Sequence, residues 1–405
     1  MKYCRVLIEK PSQCKSNGKL HGNVKCKEFI KYYGELTADK RGSFLCMLAD
    51  NYGFDTKKSK TLAAESGKDE SETALLAMAD KLRVSLQPRH RTLFSLIVRV
   101  NGGLQFLINL RADVLGLARQ RTNTELQACL YQELNACLRE LLTIWFTPSF
   151  LDVQRVTWDS PCDLVQQMCK FEAVHPVTSW QDIKRRVGSN RRCFVFTHRS
   201  MAGVPVVVLY VGLASEISAC LHDLIDKPSI CERDEKTAKK EEEDPTKIHA
   251  SVFYSITSTQ KGTGADPVNP LLRVEDLSAL APFKKSSHAT PLETFAELVT
   301  SHEWCHSQKL QEVMKPILLH LCAHYLYKEK RRNFALNPVA NFHLSNGAEL
   351  WRINFLADTS QQGLDNSCSL MVNYRYFLDA KDANLLNYQQ RFQIPASQTV
   401  LDLLD

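Results

Sequence analysis

The run ELQACLYQELNACLRELLTIWF, residues 125–146, constrains the fold more than any other stretch of this chain. Leu126, Cys129, Leu130, Leu134, Cys137, Leu138, Leu141 and Trp145 recur at spacings of three and four, so a helix here presents one wide apolar face. Such a face has to be buried against other elements. Upstream, RHRTLFSLIVRVNGGLQFLINLRADVLGLA carries the same period twice and breaks at Gly102-Gly103, which predicts two helices joined by a turn. The period stays helical from about residue 27 to 150, and a helical bundle is the expected architecture there.

Near residue 175 the pattern changes. RRCFVFTH and VPVVVLYVGLA are short β-rich runs separated by RSMAG, which predicts paired strands. ASVFYSI and ELWRINFLAD read as further strands, with helical stretches between them. The chain is therefore expected to be α+β overall: a poorly ordered 1–26, an all-α segment 27–172, and a mixed α and β segment 173–405. Within the last, 232–248 is nearly all charge and reads as a solvated loop.

Composition narrows the function classes. The 44% hydrophobic and 24% charged fractions are those of an ordinary globular protein, and no apolar run approaches the ~20 residues that cross a bilayer. The basic start MKYCRVLIEKPSQCKSNGKLHGNVKCK has no apolar stretch of the secretory kind, and its few acids give it a weak transit-peptide character. The net charge of +6 is not concentrated as in a nucleic-acid-binding arm, so a small anionic ligand is at least as good a reading as DNA or RNA. Fourteen cysteines are scattered without a Cys-x-x-Cys pair, and Cys129 and Cys137 fall in apolar helical stretches; free thiols in a reducing compartment are expected.

Three constellations could carry chemistry. SHEWCH, residues 301–306, contains the His-Glu-x-x-His pattern of zinc peptidases, with Glu329 downstream as a conceivable third ligand. Its surroundings argue against a metal. Leu292, Phe295, Leu298 and Val299 form one apolar face and Leu310, Val313, Ile317 and Leu321 another, which puts the motif at a helix junction, and Pro316 disturbs a single helix towards Glu329. No metal site is expected. DIKRRVGSNRRC places Lys184, Arg185, Arg186, Arg191 and Arg192 before a strand, either as a solvated basic turn or as a phosphate clamp. NPVANFHLSNGAELWRINFLAD sets His343 between a proline-bounded turn and Asn346-Gly347, and NYRYF supplies Tyr374 and Tyr376, which read by themselves as sheet packing.

At these residues the chain resembles malonyl-CoA decarboxylase. FALNPVANFHLSNGAELWRINFLAD, SCSLMVNYRYFL, RVTWDSPCDLVQ, EAVHPVTSWQDIKRRVG and VFYSITSTQKG all look like that family, from about Lys27 to Leu404. The resemblance implies a helical oligomerisation domain ahead of a GNAT-like catalytic domain, and conversion of malonyl-CoA to acetyl-CoA and carbon dioxide with no metal or organic cofactor. Loss of carbon dioxide leaves a thioester enolate, whose charge must be stabilised and whose C2 must be protonated. The matching Asn-Phe-His motif gives His343 the proton-donor role, and Tyr376 in the matching tyrosine motif would shape the site by hydrogen bonding.

One stretch departs from the family. After VFYSITSTQKG relatives continue into a Gln-Gly-Leu-Gln-Gly turn that cradles the CoA pyrophosphate, then a helix and a strand ending in a Phe-Ser-Ser-Leu-Ser-Pro-Ile-Pro-Gly-Phe motif, whose serine works with the histidine. Here an atypical 263–289 stands instead, leaving Gln260 and Gly262 as the substrate-binding residues carried over. A skipped exon or a degenerate family member would both produce this, and the intact flanks favour the first. The chain is expected to be severely impaired, with an exposed sheet edge where the segment is lost. It is expected to form homo-oligomers through its helical domain, and to lie in the mitochondrial matrix or cytoplasm; it ends without the Ser-Lys-Leu signal of peroxisomal relatives. A non-catalytic acyl-CoA-binding or assembly role is the alternative reading, and a zinc peptidase the remote one.

Overall fold

A computed structural model describes residues 5–9, 19–65, 72–119, 125–172, 175, 177, 179–201, 203–225, 243–260 and 291–404. By its internal contacts the chain divides into two compact units, Met1–Val187 with Arg192–Tyr210 and Ser255–Gly264, and Gly188–Arg191 with Val211–Tyr254 and Ala265–Asp405.

The first unit opens with helices α1 (Lys19–Gly34), α2 (Ala38–Tyr52), α3 (Thr56–Glu65), α4 (Glu72–Ser85), α5 (His90–Ile97), α6 (Gly103–Arg119) and α7 (Glu125–Trp145). The break between α5 and α6 falls at the predicted glycines, and Gly102 takes a left-handed φ of 77° that a side chain would resist. On α7 the expected face packs inward: Leu134, Cys137, Leu138 and Leu141 are buried with Phe29, Leu45, Leu48, Phe94, Ile97, Leu107 and Val114. Each fully buried leucine there contributes about 2 kcal/mol. Aromatic edges lock the same core, Phe106 meeting Phe29 at 5.8 Å and Tyr33 at 5.4 Å. One expectation is corrected here: Cys129 is exposed on α7. Within 1–26, α1 runs from Lys19, Leu7 and Ile8 are buried in this core, and Glu9 accepts a hydrogen bond from the Tyr52 hydroxyl at 3.1 Å.

After α7 come β1 (Leu151–Val156), α8 (Cys162–Phe171), α9 (Trp180–Arg186), β2 (Arg191–His198), β3 (Pro205–Ala214), α10 (His222–Ile225) and β4 (Ala250–Ser258). These strands form a sheet in the order β1-β2-β3-β4. β1 pairs antiparallel with β2, Leu151 opposite His198 and Val156 opposite Cys193. β1 escaped the sequence reading, because DVQR is mostly polar and exposed throughout rather than alternating. Among the described residues β4 is paired on one side only, and Phe253 and Ile256 on it are 55% and 44% exposed. Residues 232–242 of the charged loop lie outside the described residues, as does 263–289.

The second unit continues with α11 (Pro291–Ser301), α12 (Gln308–Tyr327), the short strands β5 (Lys330–Arg331) and β6 (Phe334–Ala335), α13 (Pro338–Leu344), β7 (Glu349–Asn354), α14 (Gln361–Ser367), β8 (Met371–Arg375), α15 (Lys381–Arg391) and α16 (Gln398–Leu401). β5 pairs with β6, and β7 pairs antiparallel with β8. Contrary to expectation, α12 runs unbroken through Pro316, with Met314 and Leu318 buried on either side of it. Among the described residues no helix is long and apolar enough to cross a membrane.

Candidate active site

His343 sits near the end of α13, a helix fixed at every turn. Pro338 occupies its first turn, and the Asn337 side-chain oxygen caps it, accepting from the backbone N–H of Val339 and Ala340 at 2.9 Å each. Ala340 and Leu344, four apart, point into the core, while Val339 and Phe342 face out. Asn341 is braced from α15, since the Tyr388 hydroxyl donates to its Oδ1 at 2.7 Å and accepts from the Ala335 N–H at 2.8 Å. The chain then turns at Gly347, whose φ of 84° and closeness to the Lys381 carbonyl leave no room for a side chain. His343 is thereby carried on a short rigid stub, half-buried, at the lip of a core.

Opposite it stand Tyr374, on β8, and Tyr376, the residue that follows the end of that strand. The Tyr376 hydroxyl lies 2.9 Å from His343 Nδ1. The Tyr374 ring stacks on the imidazole with centroids 4.5 Å apart and planes 13° from parallel. Burial pushes His343 down to about 4 and raises Tyr376, so both are neutral near pH 7: a neutral imidazole beside a protonated phenol. In the tautomer that lets the phenol donate to Nδ1, the imidazole carries its own proton on Nε2.

The other sequence candidates lie elsewhere in the chain. The Gln260 amide is buried: its oxygen accepts from Gln105 Nε2 at 2.8 Å and its nitrogen donates to Thr259 Oγ1 at 3.0 Å. Both polar atoms of that side chain are thus engaged within the first unit. Gly262 lies outside the described residues. In the basic segment Arg186 is no phosphate clamp. Its guanidinium holds both oxygens of Asp182, at 2.8 and 3.1 Å, and donates to the His175 carbonyl at 2.7 Å, all within the interior. Arg191 donates to the Asn190 carbonyl at 3.0 Å, and Lys184 faces solvent.

The His-Glu-x-x-His motif falls at the expected junction. α11 ends at Ser301, His302 takes a left-handed φ of 56°, and Glu303–His306 form a single 3₁₀ turn before α12. The two histidines therefore do not share a helix face. His302 lies against Asp365 at 3.5 Å and Gln361 at 3.4 Å, and Trp304 is fully buried, 5.6 Å from the Phe355 ring. Among the described residues no cluster of three His, Cys, Asp or Glu side chains is placed to hold a metal ion.

Residues 52–146 match the model of the malonyl-CoA decarboxylase N-terminal domain, and 149–277 and 268–405 match that of the malonyl-CoA decarboxylase C-terminal domain. The chain belongs to the malonyl-CoA decarboxylase family. It is 38% identical to the mitochondrial malonyl-CoA decarboxylase of Anser anser anser over 430 residues, covering 93% of this chain and 82% of that protein. With the mitochondrial malonyl-CoA decarboxylase of Rattus norvegicus the identity is 37%, over 94% of this chain and 85% of that protein. Two crystal structures of malonyl-CoA decarboxylase superpose well. That from Rhodopseudomonas palustris has a TM-score of 0.77 at 25% identity, covering 99% of this chain and 100% of that one. That from Agrobacterium vitis has a TM-score of 0.77 at 24% identity, covering 100% of each. The α+β fold, helical at first and GNAT-like after, is that of this family.

Two features of this malonyl-CoA decarboxylase family member follow from setting its geometry beside the match. The C-terminal family model aligns in two stretches that meet between residues 268 and 277, inside the atypical 263–289 segment. The Tyr374 stack and the Asn341–Tyr388 brace were missed by motif reasoning. Both depend on which side chains a strand and a distant helix bring together, and alternation along NYRYF signals only that Tyr374 and Tyr376 share a face.

Proposed function

We propose that this chain carries the proton-donating half of a malonyl-CoA decarboxylase site, and that its own turnover is slow. The observation that carries the reading is the His343–Tyr376 pair, a neutral imidazole fixed at Nδ1 with Nε2 left over. In the reaction the bond from C2 to the carboxylate breaks, carbon dioxide leaves, and the electron pair stays on C2 as a thioester enolate. His343 Nε2–H protonates C2 to give acetyl-CoA. Tyr376 holds the nitrogen behind it and can pass its proton to Nδ1 as Nε2 loses one, so that the imidazole stays neutral. His343 and Tyr376 are the residues assigned to this work. The enolate oxygen needs hydrogen-bond donors as well. In the family the serine segment belongs there, and its absence from 263–289 supports the slow turnover.

The test is release of labelled carbon dioxide from malonyl-CoA by three proteins: this chain, a version with the family's glycine turn and serine motif restored between Gly262 and Thr290, and that version carrying His343→Gln. The restored protein should exceed the chain by at least about a hundredfold, and His343→Gln should remove most of the gain. Equal rates for the first two would sink the claim of impairment, and a restored enzyme indifferent to His343→Gln would sink the assignment of the donor.

We further place the protein in mitochondria, a location supported by the names of its relatives and open to import assay. Self-association through the helical half is supported by Leu75, Leu76, Val84 and Leu86, apolar side chains exposed on and after α4, and is read by light scattering on Leu76→Glu.

A further inference from the structure

A hydrogen bond to one nitrogen does not by itself orient an imidazole. It holds Nδ1 at a distance but leaves the ring free to tilt about that bond, since the terminal torsion of histidine is broad. A flat surface against one face removes the tilt but tolerates a flip that exchanges the two nitrogens. His343 has both restraints: Tyr376 engages Nδ1 at 2.9 Å, and the Tyr374 ring lies 13° from parallel beneath it. Tyr374 is itself held, standing opposite Leu350 in the β7–β8 ladder and packing on the cluster that includes Ala340, Leu344 and Leu350.

We propose that Tyr374 is a positioning residue, whose ring fixes the plane of His343 and excludes water from that face while leaving the Nε2 edge open. The ring acts and the hydroxyl does not. The clamp stands on geometry alone; its catalytic consequence rests on the proton-donor reading above. A tyrosine that merely filled the sheet would leave the protonation of its neighbour alone. Here the neighbour's environment is set by rings. Tyr374 on β8 and Tyr376 just after it bring the two phenols, and Phe342 adds a ring edge at 5.1 Å. The other elements packed on α13 are β6, β7 and α15, which bring Glu349, Arg352, Lys381, Asp382, Tyr388 and Arg391. None of these contributes to the low affinity of His343 for a proton, which comes from burial.

The experiment is a histidine NMR titration of the full chain between pH 8 and 5, with the His343 signals assigned by their loss in His343→Gln. In the wild type they should stay neutral and in one tautomer throughout. Tyr374→Phe should behave identically, because the ring is kept. Tyr374→Leu should raise the midpoint by at least about one pH unit, into the range titrated, and average the nitrogen shifts of the two tautomers. Should Tyr374→Leu fail to fold, Tyr374→Met keeps the bulk without the flat face, and the same rise is expected. A folded Leu or Met variant whose His343 neither titrates nor loses its tautomer would overturn the clamp. Acetyl-CoA separates the two claims. It is added to the version with the glycine turn and serine motif restored. If the midpoint follows Tyr374 but saturating acetyl-CoA leaves the His343 signals of that version unmoved, the clamp stands and the donor assignment falls.

Discussion

Burial pushes two histidines of this chain, His90 and His343, down to about 4, and only one of them faces a site. His90 is fully buried at the start of α5, 5.3 Å from the Phe94 ring, with the backbone of Tyr52 only partly offsetting the loss of water. Its folded-state affinity for a proton is below its unfolded value near 6.5, so between about 6.5 and 4 the unfolded chain binds more protons. Stability should therefore be complete above 6.5 and fall as the pH drops towards 4, by about 3 kcal/mol from this group at most. Urea unfolding at pH 7 and pH 4.5 checks it, and His90→Phe should reduce the difference without abolishing it, since His343 is shifted in the same direction. At this scale the sequence was legible where a motif fixed both identity and role, as for His343. It was silent where orientation decides. Nothing in TSTQKG says that the Gln260 amide turns inward to Gln105, and nothing in NYRYF says which tyrosine stacks and which hydrogen-bonds. A register shift between Leu350 and Arg352 in the pairing of β7 with β8 helps to settle that, and a shift of pairing leaves no local trace.

Among the elements, α13 is short enough that its own backbone cannot hold it, and its supports lie outside it. Asn337→Ala removes the cap and should cost about 1 kcal/mol. Tyr388→Phe leaves the Ala335 N–H and Asn341 Oδ1 without their shared partner and should cost about 1–3 kcal/mol. Both are read from chemical unfolding, and each should also speed exchange of the α13 amides. The helices themselves were legible from period and breakers, including the split at Gly102 and the junction at SHEWCH. Pro316 was misjudged because proline removes one hydrogen bond and crowds one carbonyl, a local cost that the packing of Met314, Leu318 and Leu326 outweighs. β1 was missed for the converse reason, since a polar strand announces itself only through the partner it pairs with.

For the whole molecule, the informative feature is that β4, among the described residues, is paired on one side only. That an edge should fall here follows from the sequence, which departs from the family pattern just after this strand. Its severity does not, since that depends on which β4 side chains are left uncovered. Phe253 and Ile256 are the two, so Phe253→Thr with Ile256→Lys should lower dye binding and light scattering on warming while leaving the melting temperature within a few degrees. Inside a cell the same strand has another reader. Chaperones and proteases of the quality-control system survey short extended apolar segments, and a polypeptide that presents one permanently is triaged however well the rest of it is packed. Phe253→Thr with Ile256→Lys should then also lengthen the half-life of this protein in cells, as read by pulse-chase.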